Sequence, residues 1–275
     1  MTFHRFERHG VTLRYHDDGG SLPPVVFQHG LGGSEAQTAE CFPPDAGVRR
    51  VTLECRAHGG SDPDPAHRYS IAAFAEDVLA LCDALRIDRF VAGGISMGAA
   101  IALRIATRYP ERVRGLILVR PAFLFDPAPP NMRPNALVAD CLASGPPGEA
   151  RGRFMATDAA RELAREAPDN LASLAGFLDR GPSPALAELL RRIANGDPGV
   201  SREQAGALRI PTLVVGNGVD RIHPPEMARE LAATIPGARL AQVTPKARDR
   251  AAHLAEVGAA IRAFLHALPE ERTPP

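Results

Sequence analysis

A serine hydroxyl becomes a useful nucleophile only where a base can take its proton and the backbone holds it clear of the chain. The segment Gly94-Ile95-Ser96-Met97-Gly98 offers such a serine, between an apolar run ending near Gly93 and a helix-forming run beginning near Met97. A sharp strand-to-helix turn needs strained backbone angles and small neighbours two positions before and after the nucleophile, and Gly94 and Gly98 supply that room. A second glycine-rich segment, His29-Gly30-Leu31-Gly32-Gly33, follows the run Val25-Val26-Phe27-Gln28. Acyl chemistry needs two preorganised donors aimed at the developing oxyanion, and the backbone N–H groups of Leu31 and Met97 are assigned to that task. His29 is read as a structural imidazole of this loop.

A serine on such a strand-to-helix turn, in an α/β architecture, is expected to be followed along the chain by an acid and then a histidine. Asp220, in Gly216-Asn217-Gly218-Val219-Asp220 after an apolar run, is the expected acid, with Asp126 as the fallback and a helix-capping or surface role as the rival reading. His253, in Ala251-Ala252-His253-Leu254, is the expected base, on a loop before a last helix over Val257 to Leu268. His223 is the competitor. It lies three residues after Asp220 and directly before Pro224-Pro225, and is assigned to the start of a helix.

Positioning these groups requires alternating strands and helices. Strands are expected at Pro24–Gln28, Arg50–Glu54, Arg89–Gly93, Val113–Val119 and Pro211–Gly216, with flanking strands near Leu13 and Leu240. Ser34-Glu-Ala-Gln37 and Ser201-Arg-Glu-Gln204 match the capping box, and Ser70 can cap Ile71 to Leu85. The run from Met97 to Tyr109, stopped by Pro110, reads as a buried helix. Residues 121–206 contain no convincing strand and carry helical segments interrupted by prolines, among them Pro127, Pro168 and Pro184. This divides the chain into an α/β core, 1–120 with 207–275, and a helical cap inserted after the strand ending near Val119. Ligands of open α/β sheets bind outside the carboxyl ends of the strands, so such an insertion would cover the site.

These residues resemble the α/β-hydrolase superfamily over nearly the whole chain outside the insertion. The branch they look most like is the capped, cofactor-free group of esterases, carbon-carbon bond hydrolases and prolyl aminopeptidases. The resemblance implies an α/β-hydrolase fold with a mostly parallel sheet of about eight strands. That branch's Asp-x-Arg-Gly-His-Gly-x-Ser segment is here Glu54-Cys55-Arg56-Ala57-His58-Gly59-Gly60-Ser61, and its glycine before the catalytic histidine is here Ala252. Branches with an aspartate nucleophile are disfavoured by Ser96.

The function expected is therefore serine-dependent hydrolysis of a small-molecule carboxylic ester, through an acyl-enzyme on Ser96 and without metal or organic cofactor. Carbon-carbon cleavage, acyl transfer or cyclisation by the same residues, and a non-catalytic ligand-binding role, are the alternatives. Arg120, Phe123 and Phe125 are candidates for contacting substrate, Arg120 as an anchor for a carboxylate; Met132, Phe154, Met155 and Phe177 could line the pocket or fill a core. With 32 basic and 32 acidic residues there is no electrostatic footprint for nucleic acid or an anionic membrane, so a small molecule is the expected partner. The charges scattered through Met1–Gly10 leave no apolar leader run there, which reads as cytoplasmic. Cys41, Cys55, Cys82 and Cys141 are too scattered for a zinc site or disulfide framework and are expected to be reduced.

Overall fold

The computed structural model describes residues 3–180 and 183–269. Its strands are β1 (Phe3–Arg8), β2 (Val11–Asp17), β3 (Pro24–Gln28), β4 (Arg49–Leu53), β5 (Phe90–Ile95), β6 (Val113–Val119), β7 (Thr212–Asn217) and β8 (Arg239–Val243). They form one sheet in the order β1-β2-β4-β3-β5-β6-β7-β8. The β1–β2 and β2–β4 pairs are antiparallel and the rest are parallel. β5, and β6 and β7 apart from Arg114 and Asn217 near their ends, read as apolar or small runs because helices cover both faces, as parallel sheets require.

On the core's faces lie α1 (Glu35–Cys41), α2 (Ile71–Ala84) and α3 (Met97–Arg108). Between β6 and β7 the described chain is helical: α4 (Arg133–Ala143), α5 (Ala150–Met155), α6 (Asp158–Glu166), α7 (Pro168–Leu178), α8 (Pro184–Ala194) and α9 (Arg202–Gly206). Pro168 and Pro184 open α7 and α8, at the first helical position, where a missing N–H costs nothing. After β7 come α10 (Pro225–Thr234) and α11 (Arg250–His266). One apolar core joins α2, α3 and the inserted helices on one face of the sheet; a second packs Phe42, Ile261 and Phe264 against Phe27, Ile117 and Val215 on the other.

The chain passes from β3 to β4 on one side, then crosses to β5 on the other, so the strand order reverses between β3 and β5. The loops leaving those two strands diverge there and open a crevice at the carboxyl edge. They carry His29–Gly33 and Ser96. The four cysteines are free, three of them buried, and burial pushes the Cys41 and Cys82 thiols up to about 12. No helix among the described residues is long and apolar enough to cross a membrane.

Two of the three expected caps form. Ser70 accepts from the Ala73 N–H, and Ser201 with Gln204 makes a reciprocal capping box. Ser34 makes no side-chain cap bond. Its intended partner, Gln37, instead accepts the Gly30 N–H at 2.7 Å, so tertiary contact with the glycine loop overrides the local motif.

Candidate active site

Ser96 follows β5 and immediately precedes α3, with φ 56° and ψ −111°. A left-handed φ on a residue with a Cβ costs about 1–2 kcal/mol, and the turn is held by the Ser96 N–H donating to the Val119 carbonyl at 2.9 Å. The flanking glycines are required by close approach. A Cβ on Gly94 would lie 2.5 Å from the Gly98 backbone, and one on Gly98 would lie 2.3 Å from the Gln28 carbonyl oxygen. No side chain fits at either point, so the backbone can place Ser96 at the sheet's edge.

The Ser96 Oγ lies 2.9 Å from the Nε2 of His223. His223 Nδ1 lies 2.9 Å from Asp220 Oδ1, and its own backbone N–H donates to the same oxygen. With Asp220 ionised, Nδ1–H donates to the carboxylate and Nε2 is left to accept from the serine hydroxyl. Arg120 completes the group, its Nη2 2.6 Å and Nε 3.1 Å from Asp220 Oδ2. Burial opposes ionisation of Asp220, but the charges of His223 and Arg120 outweigh it and hold the carboxyl far below the usual range. Burial likewise lowers the His223 pKa, with Arg120 adding to the effect and Asp220 opposing it. The imidazole is thus neutral at pH 7 and able to take a proton.

His253 is not brought to Ser96, and that expectation is corrected. The last helix starts at Arg250, with Asp249 as its N-cap accepting from Ala252 N–H, so the loop expected around His253 is the first turn of α11. There the His253 ring is buried and its Nδ1 bonds the Thr244 carbonyl at 2.9 Å. The loop from β8 to α11 does reach the crevice, but the side chain it delivers is Lys246. The signal for His223 was the Asp-x-x-His spacing before two prolines: one short loop carries both groups, and the carboxylate accepts from the histidine's main chain and ring together.

The glycine loop after β3 faces this group. Gly30 is close enough to Ser96 that a Cβ there would lie 3.4 Å from the serine Cβ, and Leu31 lines the same cavity. Met97 opens α3, where the first N–H groups of a helix have no intrahelical acceptor. His29 is fully buried; its Nδ1 bonds the Gly30 carbonyl at 2.8 Å and its Nε2 accepts from Cys55 N–H at 3.0 Å. The His58 ring packs 4.7 Å from that of His29, and buried Arg56 ties Asp64 and Asp77 beneath them. Segment 54–61 therefore braces the glycine loop from below.

Beside Ser96 is a cavity of about 100 Å³, lined from the core by Leu31, Arg120, His223 and Lys246 and from the inserted helices by Met132, Asn135, Asn170, Ser173, Leu174 and Phe177. Asn170 Oδ1 accepts from the N–H groups of both Arg221 and Ile222, tying α7 to the His223 loop. Phe123 and Phe125 do not line this cavity: Phe123 is buried in the core, and Phe125 packs under Arg202. Phe154 is also core, and Met155 is exposed. Arg120 does line the cavity, with its guanidinium paired to Asp220 through Nε and Nη2. Among the described residues no cluster of three or more His, Cys, Asp or Glu is arranged to hold a metal ion.

A family model described as alpha/beta hydrolase fold matches residues 23–255. The chain belongs to the α/β-hydrolase family. It is 29% identical over 242 residues to a Rhizobium rhizogenes protein provisionally named carbamate hydrolase RutD, covering 86% of this chain and 87% of that one. It is 27% identical to 2-hydroxymuconate semialdehyde hydrolase of Pseudomonas putida, with 84% and 82% covered. Among solved structures it is similar to the enol-lactonase of Burkholderia xenovorans LB400, with TM-score 0.67, 26% identity and coverage of 95% and 96%. The eight-stranded sheet described above is the fold of this α/β-hydrolase, and the three relatives just described are named for hydrolytic reactions.

Proposed function

We propose that this α/β-hydrolase is a serine hydrolase that cleaves small carboxylic esters, with His223 rather than His253 as the base. Ser96 attacks the carbonyl carbon while His223 Nε2 takes its proton; Asp220 fixes the tautomer and stabilises the imidazolium. The N–H groups of Leu31 and Met97 receive the oxyanion. The imidazolium then protonates the departing alcohol. A water, deprotonated by His223, cleaves the acyl-enzyme and restores Ser96. Residues 121–206 act as a cap that limits the acyl group to a short one.

The observation that carries this reading is the unbroken series Ser96 Oγ, His223 Nε2, His223 Nδ1, Asp220, with 2.9 Å at each link. An ester suits it because the alcohol is a good leaving group and demands no further residue. Carbon-carbon cleavage is the second reading, favoured by the Pseudomonas putida relative. The test is intact mass after treatment with a fluorophosphonate. One adduct on the wild-type protein and none on Ser96→Ala is the expected result; a wild-type protein that takes no adduct refutes an activated Ser96. Labelling without turnover of any short ester would move the assignment to carbon-carbon cleavage.

A further inference from the structure

We infer that Lys246 is an anion anchor and that the cavity selects substrates bearing a carboxylate a few atoms from the carbonyl attacked; this rests on Ser96 being the nucleophile. Arg120, His223 and Lys246 contribute basic side chains to the lining, and among the described residues no aspartate or glutamate lines it. Two of the three already have charged or catalytic-series partners. Arg120 is bound to Asp220, and His223 lies between Ser96 and Asp220. Lys246 makes no hydrogen bond or ion pair among the described residues, although it is half-buried.

The acids that act on Lys246 do so at a distance. Asp220 is already matched by Arg120, and Asp169, on α7, forms no ion pair with it. Burial and the Arg120 charge press the Lys246 ammonium below its ordinary value, with Asp169 and Asp220 opposing, so the cation sits where it is only partly solvated. A partly buried charge without a direct hydrogen-bonded partner favours a ligand that supplies one. The other polar lining side chains, Gln37, Asn135, Asn170 and Ser173, are neutral. Asn170 Oδ1 is taken by two backbone N–H groups, so the polar group it has left is a donor. A cavity of about 100 Å³ keeps any bound anion close to Ser96.

The Lys246 backbone is also fixed. Thr244 donates its N–H and hydroxyl to Glu256, its carbonyl is bonded by His253, and the N–H groups of Arg248 and Asp249 both donate to Pro245. His253 is thus a positioning residue for the loop that carries Lys246.

The test compares nitrophenyl butanoate with the nitrophenyl monoester of succinate, which differs by a terminal carboxylate, on wild type, Lys246→Met and Lys246→Arg. Wild type is expected to favour the succinyl ester in kcat/KM by roughly tenfold to a hundredfold, the range of a charge-assisted hydrogen bond, and mainly through KM. Lys246→Met should collapse that ratio and Lys246→Arg should keep most of it. A wild-type preference for butanoate, or a ratio that Lys246→Met leaves intact, overturns the anchor. So does an equal loss on both esters with a lower melting temperature in Lys246→Met and in Asp169→Asn, which would make Lys246 a structural counter-charge. If wild type hydrolyses neither ester, the ester reading of Ser96 fails, and the anchor is judged by calorimetric titration of succinate. Binding to wild type at least about tenfold tighter than to Lys246→Met supports it; equal or absent binding overturns it.

Discussion

Replacing the two histidines one at a time separates the two geometries. In His223→Ala, Ser96 loses the one imidazole that, among the described residues, lies within hydrogen-bonding reach, and Asp220, held by Arg120, is left facing a hydroxyl it cannot activate. General base catalysis contributes about 10² to 10⁴, and loss of a residue acting within a concerted set falls at or beyond the upper end. A fall of about 10⁴ in kcat/KM, or about 5.4 kcal/mol of transition-state stabilisation at 1.36 kcal/mol per tenfold, is therefore expected. His253→Ala removes one hydrogen bond, to the Thr244 carbonyl, and leaves a void beneath the β8–α11 loop. It should melt a few degrees lower, because a bond of this kind is worth about 1 kcal/mol and the void adds to it. On a neutral chromogenic ester its kcat/KM should stay within about tenfold of wild type, since no group touching the reacting atoms changes. The assay is initial rates on nitrophenyl butanoate, with circular dichroism melts on both variants. A His253→Ala protein that melts normally yet loses 10³ or more, beside an active His223→Ala, would refute the assignment and require the C-terminal loop to rearrange.

The lowered pKa of neutral His223 places the acid limb of kcat/KM below the ordinary imidazole value of about 6.5. Activity is lost only as the pH falls through that lowered value. Arg120→Met removes a charge that lowers it, so the limb should move upward; rates from about pH 5 to 8 test both, and a wild-type limb above 7 contradicts the burial argument. Gly98→Ala forces a Cβ to within 2.3 Å of the Gln28 carbonyl oxygen; a loss of about 1–3 kcal/mol in urea unfolding is expected, and unchanged stability would show that β3 and α3 can separate. Ala57 has φ 61°, so Ala57→Gly should raise stability by about 1 kcal/mol in the same assay; destabilisation would mean that its methyl contributes more packing than the strain costs.

The fold was legible because parallel strands buried on both faces are written as apolar runs, and β3, β6 and β7 lie within a residue of where those runs place them. The Ser96 turn was legible for a local reason: a positive-φ serine between two glycines in close contact is a property of five consecutive residues. Asp220 could be singled out by its place after β7. The choice of histidine could not be made in this way, because it depends on where α11 begins. Asp249 capping Ala252 starts that helix seven residues before the expected Val257, turns His253 towards Thr244, and leaves the loop to present Lys246. Gln37 shows the same limit on a smaller scale, since its capping box with Ser34 is locally sound yet loses to the Gly30 N–H. Which inserted side chains line the cavity was equally hidden: Met132 and Phe177 reach it while Phe123 and Phe125 do not, because helix packing rather than residue type decides which face meets Ser96. Sequence by itself determined the elements and the strained turn, whose causes lie within a few residues. Only the tertiary structure decided which histidine lies beside Ser96, which side chains wall the cavity, and that Lys246 enters it, because each depends on contacts between segments far apart in the chain.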